Sequence, residues 1–286
     1  MTDVLLVTCA AFPDGEPGGD LLVRELADRG LSARWVTWDD PGVDWADARL
    51  VMIRSTWDYE RRRDEFVEWA RKVQRLATLV NTAQVVAWNT DKLYLVDLIE
   101  AGLPVVPTVG VDTELELAPA IAAFEPAVVK PRVGAGGRGV VVFDLEPGGP
   151  EGLDESQLEL GPWVVQPLVE SVHTEGETSV FVLGGRVVSQ VRKVPAPGEI
   201  RVHEEYGGRG EAVGVTEEAG ALALRAVGVA EKLLDTALPI ARADLMRMPD
   251  GQLVLSELEL VEPGLYLDLA PGNAPAFADV VRGLLA

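Results

Sequence analysis

The chain is poor in the residues from which several familiar sites are built. It holds one cysteine in 286 residues, Cys9, which excludes an internal disulfide framework and suits a reducing compartment. Cys9 lies in an apolar run and reads as a packed core thiol. The two histidines, His173 and His203, are far apart and lack metal-ligand spacing, so neither a zinc centre nor a Ser-His-Asp hydrolase is easily assembled. Positive charge is scarce as well: 25 Lys and Arg face 46 Asp and Glu, for a formal charge of −21. Nucleic acid and anionic membrane both require basic surface, so neither is expected as a partner. No apolar run approaches the roughly 20 residues that span a bilayer. Met1-Thr2-Asp3-Val4 lacks the basic and apolar segments of a secretory signal, and a cytoplasmic protein is expected. Also absent is any G-x-G-x-x-G after the first apolar strand, which makes a Rossmann dehydrogenase a poor fit.

What is present suffices for a substantial core, since 48% of the chain is apolar, seven Trp included. Val4-Leu5-Leu6-Val7 reads as a buried parallel strand. A helical pattern over 21–29, strands over 34–38 and 50–53, and a charged helix over about 62–76 give a βαβαβ order. That order predicts an open parallel sheet with ligands beyond the carboxyl ends of its strands. A helix over 91–101 stops at Gly102. From Val128, strands between glycine-rich turns imply an antiparallel sheet. The loop 195–214, rich in Pro, Gly and charge, exceeds an ordinary hairpin connection and is a candidate lid. A helix over 217–234 precedes strands over 240–245 and 253–258. The expected fold class is α/β, becoming α+β in the C-terminal half.

Three segments carry chemistry. Val128-Val129-Lys130-Pro131 is followed by Gly134-Ala135-Gly136-Gly137-Arg138-Gly139; a lysine at a strand end before a glycine run fits either a hairpin turn or a polyphosphate cradle of ammonium and backbone N–H groups. Asp244 ends one predicted strand, and Glu257 and Glu259, two apart on the next, share a face. They are either solvated strand positions or three oxygen ligands for Mg²⁺. Leu255, Leu258 and Leu260 mark that strand as buried, where unpaired carboxylates are costly. Arg54-Ser55-Thr56-Trp57-Asp58-Tyr59 follows the third strand at its carboxyl end. It is either a capping turn with a packed Trp or a grip for an amino acid's charged ends.

In their order along the chain these segments resemble the ATP-grasp superfamily, in its glutathione synthetase and ribosomal-protein glutamate ligase branch, and within it the D-cycloserine cyclo-ligases. The resemblance implies an N-terminal parallel-sheet domain over 1–86 on the substrate side. A central subdomain over 87–165 and a C-terminal one over 166–286 would clasp ATP. It makes Lys92, on the predicted helix, and Lys130 the ATP lysines, with Gly134, Gly136, Gly137 and Gly139 in the loop over the phosphates. Gln166-Pro167-Leu168-Val169 is similar to the hinge that holds adenine, and Glu177 to the ribose carboxylate. Lys193 and Arg201 fall in the basic stretch entering the lid, with catalytic roles at the transferring phosphoryl group. Asp244, Glu257 and Glu259 match the ligands of Mg²⁺, or of Mn²⁺ in its place. Two positions depart: Glu259 stands where the branch has Asn, and Ser179 where it has Arg.

The same resemblance makes Arg54, Ser55, Thr56 and Asp58 the grip on a small amino-acid-like substrate; Tyr266 and Asp268, which follow Glu262-Pro263-Gly264, are read separately as closing the pocket from the other side. The implied activity is ATP-dependent carboxylate–amine ligation through an acyl phosphate, with ring closure as in D-cycloserine formation or joining of two molecules as the outcomes. A non-catalytic nucleotide-binding protein is the alternative from another class. The sequence leaves open whether copies assemble into a homo-oligomer.

Overall fold

The computed structural model describes residues 2–143, 158 and 161–286. Its first sheet is parallel: β1 (Thr2–Thr8) lies between β2 (Ala33–Thr37) and β3 (Ala48–Ser55), and β4 (Thr78–Val80) extends it beyond β3. The unbroken apolar run of β1 is explained by two cores. Leu5 and Val7 face Trp38, Phe66 and Trp69, whereas Val4 and Leu6 face Leu22, Leu26 and Phe277. Helices α1 (Asp20–Asp28) and α2 (Arg63–Gln74) and the C-terminal helix supply these cover residues, apart from Trp38, which follows β2. Strand β4 was not expected; three residues carry too little pattern to register.

Helix α3 (Ala83–Asn89) starts at Thr82, whose side chain accepts from the N–H of Val85. The expected helix over 91–101 begins later, as α4 (Tyr94–Glu100), so Lys92 sits in a turn and not on a helix. The reason is local: the Asp91 carboxylate takes the N–H of Leu93 at 3.0 Å, and Lys92 donates its own N–H to the carbonyl of Arg132 at 2.8 Å.

The second sheet is antiparallel, in the order β5 (Val109–Val111), β8 (Trp163–Pro167), β6 (Ala127–Pro131), β7 (Val141–Phe143), with α5 (Glu114–Ala122) packed on it. Residues 144–157, 159 and 160 of the expected central subdomain lie outside the described residues. The third sheet runs β11 (Arg209–Val213), β10 (Arg186–Val194), β9 (Glu177–Leu183), β12 (Ile240–Arg247), β13 (Leu253–Glu259), all antiparallel. Helix α6 (Glu217–Leu234) covers it, and Leu95 and Leu98 of α4 join the same core. Two expectations change here. The loop 195–214 contains β11, and Asp244 lies within a strand that continues to Arg247. Helix α7 (Asn273–Leu285) returns to the first sheet, where Arg29 bonds Asp279 at 2.8 Å. Among the described residues no helix is long and apolar enough to cross a membrane.

Candidate active site

The second and third sheets enclose a cavity of about 390 Å³, closed at one end by loops of the first. Strand β6 delivers Lys130, which has no ion-pair partner among the described residues; burial pulls its ammonium below the usual range. Beyond it, Gly134, Gly136 and Gly137 line the cavity, while Gly139 belongs to the loop without lining the space. Gly136 and Gly137 have φ of 63° and 68°, a region that favours glycine. Gln166, Pro167, Leu168, Val169 and Glu177 line the wall expected for the nucleotide.

Paired acids and bases gather on the third sheet. The side-chain oxygens of Asp244, Glu257 and Glu259 lie within 4.8 Å of one another, on two strands in register. Lys92 reaches Glu257 at 2.8 Å and the carbonyl of Gly134 at 3.2 Å. Lys193, with a side chain 3% exposed, pairs with Glu177 and lies 3.4 Å from Asp244. Asp244 also accepts from Ser179, directly opposite it on β9, and from Arg242, which in turn pairs with Glu259. Burial works against an ionised Asp244, but Arg242 and Lys193 outweigh it and hold the carboxyl well below the usual range. Glu259 goes the other way: burial, aided by Asp244, Glu257 and Glu262, pushes it up to about 8 against the pull of Arg242. Three crowded oxygen donors, one of them destabilised by its neighbours, fit a hard divalent cation such as Mg²⁺.

The basic loop after β10 brings Arg201 and His203 to the cavity wall. Arg201 is held by Glu199 at 2.5 and 3.0 Å and stacks on Tyr206, 3.6 Å from the ring centre. The loop meets the glycine run, since a Cβ on Gly137 would sit 3.0 Å from Nδ1 of His203. Burial and the cations Lys193 and Arg242 hold His203 down to about 4, so its imidazole is neutral near pH 7.

At the far end the structure departs from the sequence reading. Arg54, Ser55, Thr56 and Asp58 do not line the cavity. Arg54 is fully buried, 2.8 Å from Glu16 and 2.6 Å from the carbonyl of Pro263. The hydroxyls of Ser55 and Thr56 are buried too, and Asp58 accepts from the Trp38 indole at 2.9 Å. The turn after β3 instead brings Trp57 and Tyr59 to the cavity, beside Phe12, Glu16 and Glu262; Tyr266 and Asp268 line it as expected. Burial pushes Glu262 up to about 7 against the pull of Tyr59 and Lys92. Sequence reasoning missed Arg242, although its position two before Asp244 puts both on one face. Glu262 carried no such signal, because its partners Tyr59 and Lys92 lie in the turns after β3 and before α4, far from it along the chain.

Comparison with known proteins finds two family matches along the chain. Residues 4–81 match the family described as D-cycloserine synthetase DcsG, N-terminal domain, and residues 91–246 match the prokaryotic glutathione synthetase, ATP-grasp domain. The cycloserine biosynthesis protein DcsG of Streptomyces lavendulae is 31% identical over 264 residues, covering 88% of each chain. A probable alpha-L-glutamate ligase of Shewanella halifaxensis is 26% identical over 67% of this chain, which spans 42% of that protein. The crystal structure of D-cycloserine synthetase DcsG superposes with a TM-score of 0.86 at 28% identity, over 98% of this chain and 99% of that one.

Proposed function

This chain belongs to the ATP-grasp family of carbon–nitrogen ligases, and on that premise we propose that it phosphorylates the carboxylate of a small amino-acid substrate with ATP and closes an amide-type bond within the same molecule. One observation carries the reading. Lys130, the glycine loop and the Asp244–Glu257–Glu259 cluster share one cavity whose far end is built by the segment matching the D-cycloserine synthetase N-terminal domain.

A carboxylate becomes a useful electrophile once one oxygen is a phosphate leaving group. Lys92, Lys130 and Arg201 would surround the transferring phosphoryl group with positive charge, and the N–H groups of the glycine loop would hold the polyphosphate in place. Gln166 to Val169 would seat the adenine and Glu177 the ribose. Asp244, Glu257 and Glu259 would hold Mg²⁺, or Mn²⁺ in its place, which supplies charge neutralisation across the phosphates. Lys193, between Glu177 and Asp244, would fix the orientation of both carboxylates. The basic loop carrying Arg201 and His203 would keep water from the acyl phosphate. Trp57, Tyr59 and Glu262, in place of Arg54, Ser55, Thr56 and Asp58, would form the substrate end. On this reading residues 1–86, 87–165 and 166–286 act as a substrate-side domain and two ATP-clasping subdomains, with a short overlap: β8 crosses the second boundary while staying in the second sheet.

The test is an ADP-release screen with MgATP against single amino acids and O-substituted serines, followed by mass spectrometry. ADP and phosphate formation with one amino acid, and a product lighter than that amino acid by at least the elements of water, its carboxylate oxygen leaving in the phosphate, is the expected result. A dipeptide would replace ring closure with intermolecular ligation, and absence of turnover across the panel would leave a nucleotide-binding protein.

A further inference from the structure

We propose that Glu60 is a positioning residue that ties the glycine loop to the substrate end of the cavity, so that the two are seated together. The inference rests on the proposed reading of that loop as the phosphate cradle. Glu60 lies in the 3-10 turn Tyr59–Arg62, next to Trp57 and Tyr59, which line the cavity. Its side chain is 11% exposed and holds the loop at two points. One carboxylate oxygen accepts the backbone N–H of Ala135 at 2.9 Å, and the other accepts Nε of Arg138 at 2.6 Å. Arg138 returns to the same segment by donating to the carbonyl of Trp57 at 3.1 Å.

Between the two tethered positions lie Gly136 and Gly137, the freest part of the backbone and the costliest to order. Charge-assisted hydrogen bonds from one carboxylate to both flanks are well suited to offset that cost. They do so only while the turn carrying Glu60 is in place, and that turn is anchored through Trp57, whose indole donates to the carbonyl of Glu262 at 3.2 Å. A substrate end that is disturbed therefore loosens the phosphate loop, and a well-filled one secures it. The consequence is coupling: phosphoryl transfer is favoured when the acceptor carboxylate is seated, and hydrolysis without ligation is suppressed.

The experiment compares the full-length protein with Glu60→Ala and Glu60→Gln. Trypsin cleavage after Arg138, followed by mass spectrometry with and without MgATP, should be at least about tenfold faster in Glu60→Ala, which loses both charge-assisted bonds. Glu60→Gln, which keeps an acceptor for Ala135 but not the charge facing Arg138, should fall between. In the ADP-release assay the KM for ATP should rise more than kcat falls, and ADP should form in excess of product. Melting temperatures close to the parent's are expected, and Glu60→Gln carries the test if Glu60→Ala does not fold. Unchanged cleavage at Arg138 together with an unchanged KM for ATP would overturn the proposal. Absence of ADP release by the parent protein would count against the ligase reading instead, and leaves the cleavage comparison decisive for Glu60.

Discussion

The ammonium of Lys92 lies 2.8 Å from Oε1 of Glu257, a residue 165 positions further along the chain, whereas Lys130 on the adjacent wall has no such partner among the described residues. Glu257 raises the Lys92 ammonium enough to outweigh burial, and burial prevails at Lys130. The two lysines should therefore separate on mutation. Lys92→Met removes an ion pair and should lower the unfolding midpoint. Lys130→Met removes a partly buried unpaired cation, whose burial costs free energy, and should leave the midpoint unchanged or higher. Both should reduce ADP release about 10²–10³-fold, the usual cost of removing one group that stabilises developing charge. Thermal melts beside the ADP assay check this; normal turnover by Lys130→Met would refute its placement at the phosphates.

Asp244 is the shared neighbour of Arg242, Lys193 and Ser179. Asp244→Asn should destabilise the protein by about 1–3 kcal/mol in the absence of metal, because those donors lose a charged acceptor while keeping Glu259 and Glu177. In urea titrations MgCl₂ with ADP should stabilise the parent and not the variant, since only a ligand that binds the folded state shifts the midpoint. Equal stabilisation of both would move the cation away from this cluster.

Much of this site can be read locally, and the part that cannot has a common physical cause. Lys130 with its glycine run, and Glu257 with Glu259, are set by spacing along one strand and one turn. The period of a strand says which side chains share a face, but not what that face meets. Arg54 shows the difference: its chemistry suits a carboxylate ligand, yet it meets Glu16, 38 positions before it, and Pro263, 209 after it. Glu60 is alike, with partners 75 and 78 positions away. The late start of α4 was concealed differently, because the Asp91 turn that delays it competes with a helical pattern that is itself sound.

Arg54→Ala tests the reassigned role directly. The substitution leaves the buried Glu16 carboxylate without its cation, although Glu16 still accepts the N–H of Leu265. A loss of about 3 kcal/mol or more in stability is expected, the range for breaking a buried pair by removing one partner. Denaturant unfolding at neutral pH measures it. A variant as stable as the parent, with only its substrate dependence altered, would return Arg54 to direct substrate contact.

His203 gives a pH signature. Its folded-state value of about 4 lies below the ordinary 6.5, through burial first and then Lys193 and Arg242. Between those two values the unfolded chain binds a proton that the folded chain refuses. Stability from this group is therefore fully present above pH 6.5 and falls progressively as pH drops towards about 4. His203→Gln removes the titrating group, so its unfolding midpoint should decline less steeply than the parent's over that window, and the two curves should run parallel above it. The same shift leaves the imidazole neutral near pH 7 and makes it a weak base there. Parallel decline of parent and variant throughout the window would show that His203 is solvated and that the basic loop does not press it against the glycine run.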